Sequence, residues 1–576
     1  MIEAPKKMIF PLYLLRRKSV FGKKCRVFFL SSFIIYLTAS LWAQEAVNVS
    51  RSPQWESWGP RIALDTAGNV HVVWLELYSS TSGDVFYSYY DAATKNWSPP
   101  FNISQSGEVY CYSFWATDIA VDAANRVYVA WVERNRAKLR IKDGVWGSEI
   151  LVNSGGWPYD SPRIGVSAEG DIHIVWWTDE GIIWGRSRVG GVWQETLAIS
   201  PGQSRCKFPD IAVGRNLVAA CWMERGPGEA WYQIVYSQRA NTKGASWTTS
   251  KIVAPAGNDQ QHGAIALDYL DRAHIVCTPE IYTATRQVYY VTGTLSGFER
   301  SVPISSIDNI HYPFIVEAGG NLYVCWQLGA WGDGVGVLYN INRDGNWIGE
   351  KSVPGSSGAT YSDLAITQDE SKLYITWDAG REIFVTSLSL PITNRPPVAN
   401  FTLSPEKGEI PLTVTFDASS SYDPDGTIVS YDWDFGDGST GSGKVVTHTY
   451  DKEGVFSVRL VVTDDKGKIG ITSKKVEAYH VVYPPLNPSA KITTSGLRKE
   501  PTVTYSLSWS PNPKNADAFV KEYRIYKKEG TGEFKLFAIV SKTTTSVQYT
   551  FPGNQKIIWA ITTFSTLNKE SPMVIF

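Results

Sequence analysis

The sequence predicts an all-β protein, and three observations carry the prediction. One phrase recurs seven times between Pro60 and Trp377: PRIALDTAGNVHVVW at Pro60, TDIAVDAANRVYVAW at Thr117, PRIGVSAEGDIHIVW at Pro162, PDIAVGRNLVAACW at Pro209, GAIALDYLDRAHIVC at Gly263, PFIVEAGGNLYVCW at Pro313 and SDLAITQDESKLYITW at Ser362. Apolar and polar residues alternate on both sides of its turn, as in Ile62 and Leu64 before it and Val70, Val72 and Trp74 after it, which is the period of half-buried strands. The composition agrees: aromatics are 13% of the 576 residues, with 23 Trp and 30 Tyr, while Met is scarce and Gly and Pro are plentiful.

Each copy reads as four strands. The phrase gives the first two, joined by turns such as DTAG at Asp65 and DAAN at Asp122, whose Asp, Gly and Asn suit tight turns. A third strand follows in DVFYSYYD at Asp84, QIVYSQR at Gln233, QVYYVTG at Gln287 and EIFVTSLSL at Glu382. After a turn rich in Gly and Trp comes a short fourth strand: FNIS at Phe101, ILVNS at Ile150, LAIS at Leu197 and VPIS at Val302. Four-stranded repeats spaced by about 45 to 57 residues are propeller blades. The seventh copy ends at Leu390 after three strands, whereas VNVS at Val47 precedes the first copy with no sheet of its own. The N-terminal strand is therefore expected to complete the last blade and clasp a closed seven-bladed β-propeller over residues 44–392, leaving no exposed edge.

Residues 1–43 differ in kind. They hold eight Lys or Arg against one acid, Glu3, and end in an uncharged run from Val27 to Ala43. This reads as a signal peptide cut after Ala43 or as an uncleaved membrane anchor; both place the remainder outside the cytoplasm, secreted or at the cell surface. Residues 44–576 carry 47 Lys or Arg against 55 Asp or Glu, which excludes a basic nucleic-acid footprint. Membrane contact is expected only through the N-terminal segment, if it is retained. Cys221, Cys277 and Cys325 fall inside second strands and read as buried thiols. Cys111 and Cys206, in loops at one end of next-but-one repeats, are the pair for which a bridge stays open.

The repeats resemble sialidase-like propellers with bacterial neuraminidase (BNR) repeats. That family's Asp-box, S-x-D-x-G-x-[ST]-W, lies between third and fourth strands. ANTKGASW from Ala240 keeps Gly244, Ser246 and Trp247, with Ala240 and Thr242 in place of Ser and Asp. PRIA at Pro60 and PRIG at Pro162 supply the Arg-Ile of the family's first strand without its flanking aromatic and proline. The resemblance implies the fold. The sialidase catalytic set cannot be carried onto this chain residue by residue, and seven blades in place of six is a further departure, so no catalytic residue is assigned.

Chain geometry places a ligand face where loops enter first strands and leave second strands. The second-strand ends carry acids: Glu76, Glu133, Asp179 and Glu180, Glu224, Glu280 and Asp378. The approaches to first strands carry aromatics and donors: Trp55, Trp58, Tyr110, Tyr112, Trp115, Trp157, Tyr159, His262, His311, Tyr312 and Tyr361. Rings that stack on sugar faces, with carboxylates taking hydroxyl hydrogen bonds, would bind a polysaccharide or cell-surface glycan. A surface protein is the other partner that fits, and acids capping blade edges with aromatics wedged between blades is the purely structural alternative. Two further readings stand beside binding. A glycoside hydrolase would need a carboxylate pair that the sequence does not single out, and a polysaccharide lyase would need a base near an arginine, for which His262, Tyr312 and Arg163 could serve. The other is a non-catalytic surface scaffold. HExxH, G-x-S-x-G, a phosphate-cradling Gly loop and paired CxxC are all absent.

Residues 394–479 resemble a PKD domain through PVANFTLSP at Pro397, PLTVTFDASSSYDPDG at Pro411, YDWDFGDG at Tyr431 and HTYDKEGVFSVRLVVTDDKG at His448, with Trp433 as the central aromatic. Asp423, Asp425, Asp434 and Asp437 crowd two turns; calcium is the one cofactor they would suit, and turn formation is the other reading. Residues 482–576 resemble a fibronectin type III domain through SLSWSPNP with Trp509, VKEYRIYKKEG with Tyr523 and Tyr526, and IIWAITTFSTLNKESP with Trp559. These two Ig-like β-sandwich modules imply spacing or attachment, with no chemistry of their own.

Overall fold

A computed structural model describes residues 45–576 apart from 53, 80–81, 110–115, 154–157, 159, 203, 254–258, 281–286, 308, 330–333, 392–393, 497–500, 516–518 and 554–555. The described residues form strands and turns with no α-helix. The segment 1–43, expected to be a signal or an anchor, lies outside them.

Seven antiparallel sheets follow one another between Val47 and Ser389, and each takes up one copy of the repeated phrase. The first sheet pairs Glu56–Leu64 with Val70–Ser79 and that strand with Ser82–Asp91. Its outermost layer is two short pieces, Asn96–Trp97 and Phe101–Asn102, both paired to the third strand, so the expected fourth strand is preceded by a two-residue hairpin arm. The seventh sheet has only three strands of its own, and Val47–Asn48 supplies the missing edge by pairing with Glu382–Ser389. No single sheet closes on itself. The first strand of each sheet lies against the first strand of the next, and Ser362–Ile366 of the seventh lies against Glu56–Leu64 of the first.

The alternating pattern buries both faces of these sheets against their neighbours. Trp74, Trp131, Trp176, Trp222, Trp326 and Trp377 lie within the second strands and are fully buried. Trp74 packs with residues of the seventh and first sheets, Trp131 with the first and second, and Trp222 with the third and fourth. The turn aspartates do what their position predicts: Asp65 accepts from the Ala67 and Asn69 amides, and Asp122 from the Ala124 and Arg126 amides. Cys206, Cys221, Cys277 and Cys325 are buried and form no disulfide among the described residues. Cys206 sits within Arg205–Val213, a strand and not the loop expected for it; Cys111 lies outside the described residues.

Where the first strands meet, the repeated Arg and Asp fill the axis. Arg61 is 3.8 Å from Asp118 and 4.0 Å from Asp363, and Arg163 is 3.5 Å from Asp210. Each Asp also bridges to the adjoining sheet: Asp118 accepts from the Ile164 amide, Asp210 from Ile265 and Asp363 from Ile62, at 2.9, 2.9 and 3.1 Å. Phe314 stacks on the Arg61 guanidinium, 4.2 Å from its ring centre. Burial, and then the Arg163 charge, push Arg61 down to about 10, while burial pushes Asp363 up to about 6. The Arg-Ile dipeptides at Arg61 and Arg163 are thus parts of an axial charge network.

Two sandwiches follow. The first packs Thr402–Ser404, Leu412–Asp417 and Val445–Tyr450 over a five-stranded sheet that includes Ile428–Asp434, Gly454–Asp464 and Ile469–Tyr479. Its core holds Phe401, Phe416, Trp433 and Tyr450, and the Trp433 indole donates to the Gly443 carbonyl at 2.8 Å. The second packs Leu486–Ser495, Thr502–Ser510 and Ser546–Pro552 over a sheet of Lys535–Ser541, Val520–Glu529, Ile557–Ser565 and Val574–Ile575, with Trp509, Tyr523 and Trp559 inside.

The first sandwich is bound to the turns between first and second strands. Glu169 accepts from the Ser457 and Ser473 hydroxyls at 2.8 and 3.0 Å, Arg215 pairs with Asp434 at 2.7 Å, and Lys468 pairs with Glu370. Glu370 is buried, 3% exposed, and also accepts from Asn321 and from the Tyr323 hydroxyl. These contacts fall on the third, fourth and seventh sheets, so the sandwich bridges across the axis at the turn end.

Candidate functional site

The opposite end, where first strands begin and second strands finish, is left to the loops. A break in strand register shapes it. In five first strands the pairing shifts by one residue: between Trp58 and Arg61, Asp160 and Arg163, Lys207 and Asp210, Gln261 and Ala264, and His311 and Phe314. Each shift holds a Pro, which cannot donate to a ladder, or a Gly, which weakens one: Pro60, Pro162, Pro209, Gly263 and Pro313. The residue before it takes a left-handed backbone in four cases, Gly59, Phe208, His262 and Tyr312, at φ of 56°, 49°, 48° and 52°. Such a conformation costs a large side chain free energy, on the order of 1–3 kcal/mol, and re-aims it.

The three re-aimed rings join others into an arc around the mouth. Ring centres are 5.7 Å apart for Trp177 and Phe208, 5.2 Å for Phe208 and His262, 4.4 Å for His262 and Tyr312, and 5.1 Å for Tyr312 and Tyr361. His311 adjoins Tyr312 at 5.8 Å. Phe208 and Tyr361 are half-buried, as is Trp58, while Trp55 and Trp231 on the rim are 42% and 46% exposed. Beneath the arc lies a cavity of about 20 Å³, room for a water molecule or two, lined among others by Arg163, Phe208, Asp210, His262, Tyr312 and Phe314. Burial, and then the neighbouring His311 charge, push His262 down to about 3, so its imidazole is neutral at ordinary pH.

Four of the expected acids are engaged by partners within the fold. Glu76, Glu133 and Glu224 each stand two residues beyond a buried Trp, on the same strand face, and accept from its indole: Trp74 at 3.2 Å, Trp131 at 3.3 Å and Trp222 at 3.0 Å. Glu133 also holds Lys138 at 2.7 Å. Burial, outweighing hydrogen bonds from Ser52 and Trp74, raises Glu76 above the usual carboxylate range. Asp378, 1% exposed, accepts from Thr360 and from the Gly59 and Tyr361 amides, and burial pushes it up to about 6. Glu180 is exposed on a turn. The backbone of Glu280 ends the strand Ala273–Glu280, and its side chain lies outside the description, as do Tyr110, Tyr112, Trp115, Trp157 and Tyr159. His262, His311, Tyr312 and Trp58 prove to lie in strands.

Phe208 and Trp177, and Lys207, Arg225 and Tyr232 beside them, are not among the residues expected at this face from the sequence. The strand-interior prolines at 60, 162, 209 and 313 were the available signal.

The four sandwich aspartates serve turns and partners. Asp423 accepts from the Asp425 amide, Asp425 from Arg395, Asp434 from Gly436, and Asp437 from Ser439 and His448. Among the described residues no group of three or more His, Cys, Asp or Glu is placed to hold a metal ion, and no helix is long and apolar enough to cross a membrane.

Residues 394–478 match the family model described as "PKD domain", and this segment, the first sandwich, is a PKD domain. A curated relative, the microbial collagenase of Vibrio alginolyticus, is 35% identical over 135 residues, which are 23% of this chain and 14% of the relative. The chain thus spans about a seventh of that relative's length. Among solved structures, the PKD1 domain from the Vibrio cholerae metalloprotease PrtV is 42% identical over 14% of this chain and 96% of that chain, with a TM-score of 0.13. A polysaccharide lyase, PL25 ulvan lyase, is 11% identical over 60% of this chain and 93% of that chain, with a TM-score of 0.43.

Proposed function

We propose that this is an exported, carbohydrate-directed protein whose seven sheets are the blades of a closed seven-bladed, sialidase-like propeller spanning residues 44–392. In this reading the mouth ringed by aromatics binds a polysaccharide or cell-surface glycan, and the PKD domain and a fibronectin type III domain at 482–576 hold or space that face. The observation that carries the reading is the arc from Trp177 to Tyr361. Strand bulges assemble it at one end of the axis, while the PKD domain occupies the other. Left-handed Phe208, His262 and Tyr312 cost stability that an ordinary ladder would save, which is the pattern of residues kept for a ligand. Sugar rings present axial C–H groups to such faces, and the rim residues Trp55, Trp58 and Trp231 extend the platform. The buried acids Glu76, Glu133 and Asp378 and the half-buried Glu224 are taken up by partners within the fold, and Glu180 remains as an exposed carboxylate for hydroxyl groups.

An enzymatic alternative draws on one observation. His262 and Tyr312 adjoin at 4.4 Å and share their cavity with Arg163, and a neutral imidazole beside an arginine is what β-elimination from a uronic acid needs. A polysaccharide array probed with the purified protein, scored for binding, reducing ends and unsaturated products, separates the readings. Binding without product supports the binding face, binding with product supports the enzyme, and silence on every polysaccharide refutes both.

A further inference from the structure

On the fourth sheet the same mouth holds a group of cations with no ion-paired carboxylate among the described residues. Arg205 and Arg225 are directly opposed across the strands Arg205–Val213 and Leu217–Arg225. Like charges facing across a ladder destabilise it. Lys207 lies two residues along from Arg205 and therefore on the same sheet face. Two of them converge on one ring: the Arg225 guanidinium lies 5.0 Å from the centre of Tyr232, and the Lys207 ammonium 5.9 Å from that ring and 5.9 Å from Trp177. Among the described residues no carboxylate forms an ion pair with any of the three. The adjacent acid, Glu224, projects from the opposite face and is bound to the Trp222 indole. Asp179 and Glu180 are exposed on the next sheet's turn. A cation cluster in a chain whose residues 44–576 are acidic overall is not explained by general surface charge.

Resting on the glycan-binding reading, we propose that Lys207 and Arg225 beside Tyr232, with Arg205 opposite Arg225 on the ladder, form a subsite for the acidic group of an anionic polysaccharide. Guanidinium forks match the paired oxygens of a carboxylate or a sulfate, and the ammonium adds a point charge. Tyr232 supplies a flat face for the sugar ring that bears the group, with the exposed Trp231 beside it. The cation–ring contacts hold the charged heads where the anion would sit.

The test titrates the whole protein with polygalacturonate, dextran sulfate and uncharged dextran at low and high salt, for the wild type, Arg225→Gln and Lys207→Gln. Lys535→Gln on the distant C-terminal sandwich is the control. The subsite predicts preference for a charged polymer over dextran. It also predicts about tenfold weaker binding of that polymer in each mouth variant, with the control unchanged and the wild-type salt dependence reduced. Polygalacturonate ahead of dextran sulfate identifies a carboxylate site, and the reverse a sulfate site. Dextran bound as well as the charged polymers, or full affinity in correctly folded variants, overturns the subsite while leaving the glycan face intact. Tighter binding of polyglutamate than of either charged polysaccharide overturns it in favour of an acidic protein partner. No binding of any polymer here or on the array overturns both readings.

Discussion

Replacing Lys468 by Met would loosen the PKD domain from the turn end of the sheets. Lys468 reaches from the PKD domain to Glu370, whose side chain is 4% exposed, so the substitution strands a carboxylate away from water. Breaking a buried pair costs about 3–5 kcal/mol. The lower end applies because Asn321 and Tyr323 still donate to Glu370. A loss of about 3 kcal/mol raises the undocked population roughly 100-fold. Hydrogen exchange read by mass spectrometry at residues 367–371 should quicken by that factor, while exchange in the PKD core around Trp433 stays as it was. Combining Lys468→Met with Glu370→Gln should recover part of the loss, since the stranded charge is then gone. Unchanged exchange at 367–371 in Lys468→Met would refute the docking.

Two further substitutions examine the parts that hold the mouth. Asp378 rises from an ordinary carboxylate value to about 6 on folding, so its contribution is fully present below about pH 4 and is lost as pH rises through 6; Asp378→Asn keeps one acceptor oxygen where the Gly59 and Tyr361 amides use two, removes the titrating group and should flatten that stretch of the stability profile, by about 3 kcal/mol, in urea titrations across pH. Glu224→Leu removes the acceptor of the fully buried Trp222 indole and should lower the urea midpoint, costing about 1–3 kcal/mol, whereas Glu180→Leu on its exposed turn should cost under about 0.5 kcal/mol.

The sheets were legible because strand alternation and turn chemistry are local, and the repeated phrase displays both seven times. Even the pairing of Val47–Asn48 with Glu382–Ser389 followed from counting strands. The mouth was less legible. Acids at the strand ends recur with the regularity of a ligand site, yet Glu76, Glu133 and Glu224 recur because a buried Trp two residues earlier needs an acceptor. Phe208 looked like an ordinary strand residue; only its place before Pro209 hinted at a bulge. Docking of the PKD domain was invisible, because Glu169, Arg215 and Glu370 meet partners at Ser457, Asp434 and Lys468 that no short-range pattern connects.

The central claim is that sugar is bound at the aromatic mouth. Calorimetric titration of the wild type and of Tyr361→Ala with the best polysaccharide from the array tests it most directly, because Tyr361 is half-buried at the end of the arc. The account predicts binding about tenfold weaker in the variant with the fold intact. Equal affinity in the two proteins would contradict it.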